Sequence, residues 1–568
     1  MIGKQLTLNL GTVNKEEITF GNGIRVGEQL FYYEGSVHTI PAKLAKAKNV
    51  LSVRCTGYRG GGMCMYTIKS LMIVGLALLA NATLLLSARG ETDDNAMRES
   101  ALAAVRAAIP KAESDPTRPV YHFRPPAQWM NDICGAVYYK GYYHIFYQYN
   151  PFSGDSWGAR YSLWGHARSK DLVHWENLPW ALLPLTERGE RRCNSGCVTL
   201  DGNGKPMIFY TFVPATKDAT RLGKREHWAA RPLDDELLKW RRVKNEPLMA
   251  AGMNGVPEDV NAGWSDPFVF KSAGRTFVTF KSCEGLVCEA RDKELTHWEY
   301  AGRMASVSGE CPNFFPLQDK WVLIRSTEPI SYVLGEFDAK NIAFAASGSG
   351  RVLDYGFGKN PPTDRSWTRG LYATNALTDK DGRRILLGWI CGFRPKRGWN
   401  GCMSLPRVLT LDKDQRLIQT PAPELERLRE EHVEIKDVLV SSEDKKLDTV
   451  SGDTMELVAE FAVADAKAFG LRVRQSEDGK DAITMRYSKG SLNVAGTEVP
   501  LALAPLSKTL TLHVFIDKSV LEVFINDGAT SVTRVEYPGE QDLGVSVFAE
   551  NGSATLKSLD AWKMKPIW

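Results

Sequence analysis

Residues 121–135 read YHFRPPAQWMNDICG, and the rest of the chain is organised around this stretch. Its segment Trp129-Met-Asn-Asp132 places a carboxylate among aromatic rings and amides, and the aromatic run YYHIFYQY follows at residues 142–149. Aromatic rings can cover the apolar face of a sugar while a carboxylate holds or attacks one of its atoms. An Asn-Asp pair taken alone is more often a turn at the end of a strand. The acid at Asp132 therefore needs support from elsewhere in the chain.

Length and composition indicate a multidomain globular protein. A chain of 568 residues is too long for one ordinary core and predicts two or three domains. Its 43% hydrophobic and 24% charged residues are ordinary values for that class. The net charge of +4 is small, and no basic block is interleaved with aromatics, so we expect no nucleic-acid partner. Fifteen Trp and nineteen Tyr are compatible with a carbohydrate site.

The ten cysteines are spread along the chain without a CxxC pair or a His-spaced partner. This pattern predicts no structural metal site, and nothing else in the sequence calls for a cofactor. Cys193 with Cys197, and Cys283 with Cys288, are close enough in sequence to bridge across a turn or hairpin. Free buried thiols are the alternative.

Residues 1–62 differ in character from the rest, with strand-like runs at 6–10 and 49–54 and Gly-rich turns. The segments GTVNKE from Gly11, HTIP from His38 and the run 49–54 resemble a fragment of the β-sandwich module of sialate O-acetylesterases. The alternative is an unrelated or mis-started reading frame. We treat this segment as an uncertain β fragment.

Residues 63–90 have the layout of a secretory signal: a short basic lead, an apolar run at 71–86 and small residues at the end. Either the true start is Met63 or Met65, or the segment is an internal anchor. The first explanation predicts an exported protein, periplasmic or extracellular. Membrane association is expected only if the run 71–86 is retained. Residues 91–118 read as a polar linker.

Residues 119–418 consist of short β runs between turn residues, with no long amphipathic helix. Such a pattern predicts an all-β array, of which a propeller and a large sandwich are the two alternatives. Residues 419–432 read as a Pro-punctuated linker with a short helix. Alternating hydrophobic and polar residues over 433–568 predict a β-sandwich.

Two further acids occupy settings like that of Asp132. Asp266 lies in AGWSDPFVF (residues 262–270) and Glu310 in VSGECPNFFP (residues 307–316), each at the entry of an apolar strand. Three acids that each enter a strand of one β-array can converge on its central opening. Their convergence is what a catalytic site would require.

The region from Tyr121 to Arg429 resembles the catalytic domain of glycoside hydrolase family 32, the invertase, inulinase and levanase family. WMND at 129–132 matches the family's nucleophile motif, Glu310-Cys its acid/base motif, and Asp266-Pro two of the three residues of its Arg-Asp-Pro motif. Supporting matches are FYQYNP (146–151), WGHA (164–167), DLVHW (171–175), GW (388–389), GCMSLPR (401–407) and, in the C-terminal module, LEVFINDG (521–528).

The resemblance implies a five-bladed β-propeller followed by a C-terminal β-sandwich. It also implies a retaining hydrolase that releases fructose from β-fructofuranosides such as sucrose, inulin or levan by double displacement. Asp132 is then the nucleophile, Glu310 the acid/base and Asp266 the transition-state stabiliser. We expect burial and the neighbouring carboxylates to keep Glu310 protonated.

The same motifs supply candidates for binding the sugar, and no metal ligand is among them. The candidates are Trp129, Asn131, Gln148, Trp164, Ser195, Ser265 and Trp389. Ser265 stands where the family usually has arginine, and serine cannot match the reach or charge of a guanidinium. Arg160, Arg191 or Arg192 is expected to replace it from another loop.

Two other functions fit the same fold. A fructosyltransferase would differ only in passing the intermediate to a sugar instead of water. A non-catalytic fructan-binding protein would have the fold with a drifted site, for which Ser265 is the main support. Product analysis separates the first alternative, and binding paired with an activity assay separates the second.

Overall fold

The structure is a computed structural model, and it describes most of the chain from residue 84 onward. The described ranges are six strands within residues 6–68, then 84–155, 162–214, 226–260, 264–281, 285–304, 309–356, 370–441, 444–503 and 509–568, with side chains from residue 96 on, Val463 excepted. The expected apolar run 71–86 lies mostly outside the described residues.

The first part of the chain forms two small antiparallel sheets, in line with the strand-like runs of its sequence. Their strands are β1 (Leu6–Thr12), β2 (Glu16–Gly21), β3 (Ile24–Gln29), β4 (Gly35–Ile40), β5 (Asn49–Thr56) and β6 (Gly62–Ile68). β1 pairs with β4, and the others follow the order β3-β2-β5-β6.

Residues 91–118 are not the polar linker that the sequence suggested. A helix, α1 (Leu84–Glu113), occupies most of this segment. Its residues Ala101, Leu102, Val105, Ile109 and Ala112 are buried and belong to the same hydrophobic cluster as the first propeller sheet. Their spacing follows one helical face, so burial of that face outweighs the polar composition of the rest.

Five antiparallel sheets follow, and the first strand of each contacts the first strand of the next in a closed ring. The first sheet contains β7 (Gln128–Tyr139), β8 (Tyr142–Asn150), β9 (Leu163–Ser169) and β10 (Trp175–Leu182). The second contains β11 (Glu190–Leu200), β12 (Pro206–Pro214), β13 (Glu226–Pro232), β14 (Trp240–Arg242) and β15 (Met249–Ala250). The third contains β16 (Ser265–Ser272), β17 (Arg275–Lys281), β18 (Leu286–Ala290) and β19 (Trp298–Arg303).

The last two sheets complete the ring. The fourth contains β20 (Glu310–Leu317), β21 (Lys320–Ser326), β22 (Ser331–Asp338), β23 (Ala343–Ala346) and β24 (Arg351–Val352). The fifth contains β25 (Gly370–Thr378), β26 (Arg384–Cys391), β28 (Cys402–Met403), β29 (Arg407–Leu411) and β30 (Leu417–Pro421). Between them β27 (Trp399–Asn400) pairs in parallel with β7, which joins the last sheet to the first. The five-bladed β-propeller is confirmed.

The C-terminal part is the predicted β-sandwich. One sheet has the order β31-β42-β33-β38-β39-β40 and the other β32-β41-β34-β35-β36-β37. Their bounds are β31 (Arg429–Val440), β32 (Lys445–Ser451), β33 (Thr454–Val463), β34 (Ala468–Gln475), β35 (Ile483–Ser488), β36 (Ser491–Val494), β37 (Thr497–Pro500), β38 (Thr509–Asp517), β39 (Val520–Ile525), β40 (Thr530–Val535), β41 (Gly544–Glu550) and β42 (Ala554–Met564). Apolar residues of both inner faces form one core.

The connection between the two domains is shorter than the predicted linker 419–432. β30 continues to Pro421, a 3-10 helix spans Pro423–Leu428, and β31 begins at Arg429. Leu425 and Leu428 of the short helix are buried. The ends of the expected linker are therefore strand, because both flanking sheets extend by hydrogen bonding into it.

A buried charged network joins the domains. His122 bonds Asp517 at 2.8 Å and Glu522 at 3.1 Å, while Arg407 bonds Glu522 at 2.5 Å and Asp354 at 3.0 Å. Burial lowers the pKa of His122, but the hydrogen bonds to Asp517 and Glu522 outweigh it and raise the pKa to about 9. The imidazolium is therefore retained in the folded protein at neutral pH.

This network predicts a large loss of stability on removing one charge. Glu522→Gln leaves Arg407 and His122 buried with one carboxylate fewer, and we expect it to cost about 3 kcal/mol of unfolding free energy. Urea unfolding at pH 7 measures this. Glu550→Gln, which breaks a half-exposed pair with Arg486, is the matched control and is expected to cost under about 1 kcal/mol. Equal losses in the two variants would contradict the assignment.

The cysteines described are free and buried, Cys193, Cys197 and Cys288 among them. Cys193 and Cys197 lie in the same strand, β11. Residues four apart in a strand are separated by roughly 13 Å, too far for a disulfide. The bridge allowed by their spacing in the sequence is therefore wrong, and Cys283 lies outside the described residues.

Within the part of the chain described here, no helix combines the length and apolar character needed to cross a membrane.

Candidate functional site

The first strand of every blade is irregular at the point where it enters the central ring. Register shifts lie between Met130 and Ile133 in β7, Asn194 and Gly196 in β11, Ser265 and Phe268 in β16, Glu310 and Asn313 in β20, and Tyr372 and Asn375 in β25. A bulge bends a strand and re-aims its side chains. The five irregular segments carry Asp132, Ser195, Asp266, Glu310 and Tyr372, which brings these residues together.

Backbone strain accompanies three of these segments. Asp266 has a φ of 54°, Cys311 of 47° and Ala373 of 44°. The left-handed region is unfavourable for residues with a Cβ and persists only where the surrounding structure holds it. Strain in three neighbouring blades around one opening is typical of a functional site.

Asp132 is held by a network of polar side chains from the first two blades. Ser195 Oγ donates to Asp132 Oδ2 at 2.5 Å, and Asn131 Nδ2 donates to Asp132 Oδ1 at 3.2 Å. The Gln148 amide fixes both donors, since its Oε1 accepts from Asn131 at 2.8 Å and its Nε2 donates to Ser195 Oγ at 2.6 Å. The orientation of the carboxylate is therefore set before any ligand binds.

The pKa of Asp132 is raised from 3.8 to about 6, first by burial and then by the charges of Asp266 and Glu310. Hydrogen bonds from Ser195 and Asn131 oppose this rise. The carboxylate is thus mostly ionised at neutral pH but poorly solvated. An ionised, desolvated carboxylate is suited to nucleophilic attack.

Asp266 is nearly fully buried, and Cys311 contacts both Asp266 and Asp132. Cys311 N–H donates to Asp266 Oδ2 at 3.1 Å, and Cys311 Sγ lies 3.5 Å from Asp132 Oδ2 and 4.0 Å from Asp266 Oδ2. The Asp266 N–H in turn donates to Thr211 Oγ1 at 3.0 Å. Burial, followed by the charge of Glu310, raises the pKa of Asp266. Two carboxylates therefore face one small volume.

Glu310 is less buried than the sequence suggested, with 45% of its side chain exposed. Lys281 Nζ donates to its Oε1, and the Tyr372 hydroxyl lies 3.2 Å from its Oε2 and 3.2 Å from the Ser326 carbonyl oxygen. The burial expected for this carboxyl is therefore wrong, because β20 begins at Glu310 and leaves one side of the side chain open. The open side leaves room for a leaving group and for water.

Trp129 and Trp389 form the aromatic wall of the site. Their rings are tilted by 57° with centroids 6.1 Å apart, and both belong to a small cluster with Cys311 and Ala373. Trp129 Nε1, Trp389 Nε1 and Asn131 Oδ1 are buried and have no hydrogen-bond partner among the described residues. Buried polar groups are nearly always paired in native proteins. Three such atoms around one site are therefore unusual in a protein interior.

Trp164, a predicted sugar-binding residue, is placed differently. Its ring is fully buried in a hydrophobic cluster, and its Nε1 donates to the Asn194 carbonyl at 3.2 Å. No face of the ring is open to a ligand, so this prediction is wrong. Ser265 and Gln148 are buried as well: Ser265 hydrogen-bonds Asp266, and Gln148 bonds the Asn131 and Ser195 side chains that hold Asp132.

Lys281, Tyr372 and Thr211 were not singled out by the sequence. Each lies in a strand that no catalytic motif marks, and each meets an acid from another blade. For Lys281 the sequence offers one indication: it lies opposite Ser265 in the β16–β17 hairpin, which places it next to the Asp266 motif. Three arginines were candidates to take the place of the family's arginine, which is Ser265 here. Of these, Arg160 lies outside the described residues, and Arg191 and Arg192 lie in β11.

In the described part of the chain no group of three or more His, Cys, Asp or Glu side chains is arranged to hold a metal ion. The acids of the site are instead spread over three blades. The arrangement can hold a polar ligand between a desolvated carboxylate and a second, more exposed carboxyl. Two carboxyl groups in such different environments are suited to separate roles.

Two family models match the chain, one for each domain. "Glycosyl hydrolases family 32 N-terminal domain" matches residues 122–421 and "Glycosyl hydrolases family 32 C terminal" matches residues 424–563. Together they span the propeller and the sandwich.

Curated relatives match over the same region. A levanase of Bacillus subtilis is 30% identical over 520 residues, which cover 79% of this chain and 71% of the relative. A sucrose-6-phosphate hydrolase of Zymomonas mobilis is 28% identical over 502 residues, which cover 79% of this chain and 92% of the relative.

Solved structures share the fold. Fructan 1-exohydrolase IIa of Cichorium intybus superimposes with a TM-score of 0.69 at 22% identity, covering 80% of this chain and 98% of that one. A β-fructofuranosidase of Bombyx mori gives a TM-score of 0.68 at 24% identity, covering 83% of this chain and 99% of that one.

Proposed function

The chain belongs to glycoside hydrolase family 32 and is a hydrolase of fructosides, and on that premise we propose that Asp132, Glu310 and Asp266 carry out its reaction. One observation carries the assignment of roles: acids from three blades meet around Cys311, each in its own environment. Asp132 is desolvated and oriented, Asp266 is buried, and Glu310 is open on one side. These environments match a nucleophile, a hydroxyl-holding carboxylate and an acid/base.

In the first half-reaction Asp132 attacks the anomeric carbon of the fructosyl unit. A bond forms between that carbon and a carboxylate oxygen, the glycosidic carbon–oxygen bond breaks, and the leaving oxygen takes the proton of Glu310. Asp132 Oδ1 is the better candidate for the attacking atom, since Oδ2 accepts the shorter bond from Ser195. Asp266 accepts hydrogen bonds from ring hydroxyls as positive charge develops.

In the second half-reaction water replaces the leaving group. Glu310, now a carboxylate, takes a proton from the water as its oxygen bonds to the anomeric carbon, and Asp132 departs. The exposed side of Glu310 gives this water a route to the intermediate. Net, one glycosidic bond and one water are consumed, and the stereochemistry at the anomeric carbon is retained.

Support for a sugar as ligand comes from the walls of the site. The N–H groups of Trp129 and Trp389 and the Asn131 oxygen, which have no partner among the described residues, suit a ligand rich in hydroxyls. The curated relatives include a levanase and sucrose-6-phosphate hydrolases. We propose sucrose and fructans of the inulin and levan types as the substrate class.

A panel of sucrose, inulin and levan with chromatography of the products tests this function. We expect release of free fructose from one or more of them. Transfer products that dominate at high sucrose would instead indicate a fructosyltransferase. Binding without turnover at any pH would contradict the proposed function.

The raised pKa of Asp132 predicts the acid limb of the pH profile. The nucleophile must be ionised, so kcat/KM is expected to fall about tenfold per pH unit below about 6. Ser195→Ala removes a bond that lowers this pKa, and so moves the limb to higher pH. Steady-state kinetics on wild type and variant measure the shift. Ser169→Ala, a buried serine of the first blade, is the control, and an unmoved limb in Ser195→Ala would oppose the assignment.

We propose that the protein is exported, with Met63 or Met65 as the start of the signal. The support is the basic lead, the apolar run at 71–86 and the small residues after it. N-terminal sequencing of the protein recovered outside the producing cells tests this. A mature protein that still begins at Met1, or one retained inside the cells, would contradict it.

A further inference from the structure

Lys281 is the last residue of β17, and it pairs across strands with Ser265 at the first position of β16. Residues directly opposite in a sheet project to the same face. The Lys281 side chain therefore projects from the same face of the sheet as Ser265, which precedes Asp266. Ser265 is buried, and its side chain is much shorter than that of the lysine opposite.

The Lys281 ammonium contacts the carboxyl of the next blade directly. Its Nζ donates to Glu310 Oε1, opposite the Tyr372 hydroxyl on Oε2. Glu310 is therefore clamped between two donors from different blades. Burial lowers the pKa of Lys281, but the hydrogen bond and charge of Glu310, with the charge of Asp266, outweigh this and raise it. Lys281 therefore stays positive over the working pH range.

Besides Lys281, the described groups shown to interact with the charge of Glu310 include four that are acidic or weakly acidic. They are Asp132 of β7, Asp266 of β16, Cys311 of β20 and Tyr372 of β25. Among these described groups, Lys281 is the one that brings positive charge to Glu310. A neighbouring cation favours the charged form of a carboxyl, whereas the two carboxylates favour its protonated form.

We propose that Lys281 is a positioning residue for Glu310: it holds the carboxyl toward the leaving group and supplies the positive charge beside it. This inference rests on the proposed function. In the first half-reaction Glu310 must hold a proton, and in the second it must accept one. A cation bonded to Glu310 stabilises the carboxylate that accepts a proton in the second half-reaction. It therefore disfavours the protonated carboxyl that the first half-reaction needs.

The test is the pH dependence of kcat/KM for Lys281→Met, which keeps the length of the stem and removes the charge. We expect the alkaline limb to move to higher pH, because loss of a neighbouring cation favours the protonated form of a carboxyl. At the wild-type optimum kcat is expected to fall roughly ten- to a hundredfold, since the acid is no longer held, with KM little changed. Lys281→Arg keeps the charge and is expected to retain the wild-type limb.

Lys271→Met is the matched control, because Lys271 lies in the same blade and its Nζ bonds the Leu200 carbonyl instead of a carboxyl. Lys281→Gln repeats the test with a polar side chain if the methionine variant does not fold. An alkaline limb that stays in place in Lys281→Met or Lys281→Gln overturns the inference. If the wild type itself hydrolyses no fructoside, the proposed function fails instead, so the two failures are distinguishable.

Discussion

Asp132→Asn is expected to reduce kcat on sucrose or fructan by roughly 10⁴-fold or more, since the amide cannot form the covalent bond to the anomeric carbon. The fold should be preserved, because the amide oxygen introduced by the substitution can still accept the hydrogen bond from Ser195. Initial rates measured with a sensitive fructose assay give the result. Asp235→Asn, an exposed aspartate of the second blade paired with Lys140, is the control and should keep full activity.

The same variant is expected to be more stable than the wild type at alkaline pH. An acid whose folded pKa is raised binds its proton more tightly when folded, so stability falls as pH rises from about 4 to about 6. Removing the charge at position 132 recovers roughly 1 to 3 kcal/mol of unfolding free energy at pH 8. At pH 4 the gain should vanish.

Urea unfolding at the two pH values measures this difference. Loss of activity together with a gain of stability at pH 8 would identify Asp132 as a residue that lowers stability and is required for the reaction. A variant that is inactive and also less stable at pH 8 would indicate a structural role for the carboxylate. A variant with wild-type kcat would remove Asp132 from the reaction altogether.

Glu310→Gln is expected to separate the two half-reactions. Glutamine can neither give nor take the proton, so kcat/KM on sucrose should fall roughly 10³-fold. A fructoside with an acidic phenol as leaving group needs little protonation, so its first step should be far less affected. The intermediate then accumulates, because no base activates water.

Added azide tests this interpretation, since azide attacks without a base. We expect it to restore turnover of the aryl fructoside by Glu310→Gln and to yield a fructosyl azide, with no such effect on Asp132→Asn. Glu336→Gln, which alters an exposed ion pair with Lys320 in the same blade, is the matched control. Equal losses on both leaving groups, with no azide effect, would contradict the acid/base role.

The three acids proposed for the reaction could be found in the sequence because each lies in a short motif next to or within a predicted strand. Asp132, Asp266 and Glu310 begin or interrupt the inner strands of three blades, and the family motifs around them mark their positions. Their convergence follows from the closed ring of inner strands. Hydrophobic periodicity does not distinguish a propeller from a large sandwich. The family resemblance does, because it implies a five-bladed propeller.

Contacts between blades were beyond sequence reasoning. Lys281 and Tyr372 reach Glu310 from strands on either side, and no local pattern in either strand indicates that contact. Trp164 was misplaced for a related reason: a motif gives the order of residues, but a bulge or a neighbouring blade decides which face is open. Helix α1 is hard to predict from the sequence although its buried residues follow helical spacing. Pro110 and the many charged residues of this segment are typical of a linker.

The most direct test of the account is to trap the covalent intermediate. Glu310→Gln is incubated with the aryl fructoside, denatured, digested and analysed by mass spectrometry. We expect the mass of one fructosyl unit on the peptide that contains Asp132, and its absence from the Asp132→Asn/Glu310→Gln double variant. Phenol release without any label on Asp132, or a label on another residue, would contradict the assignment of Asp132 as the nucleophile.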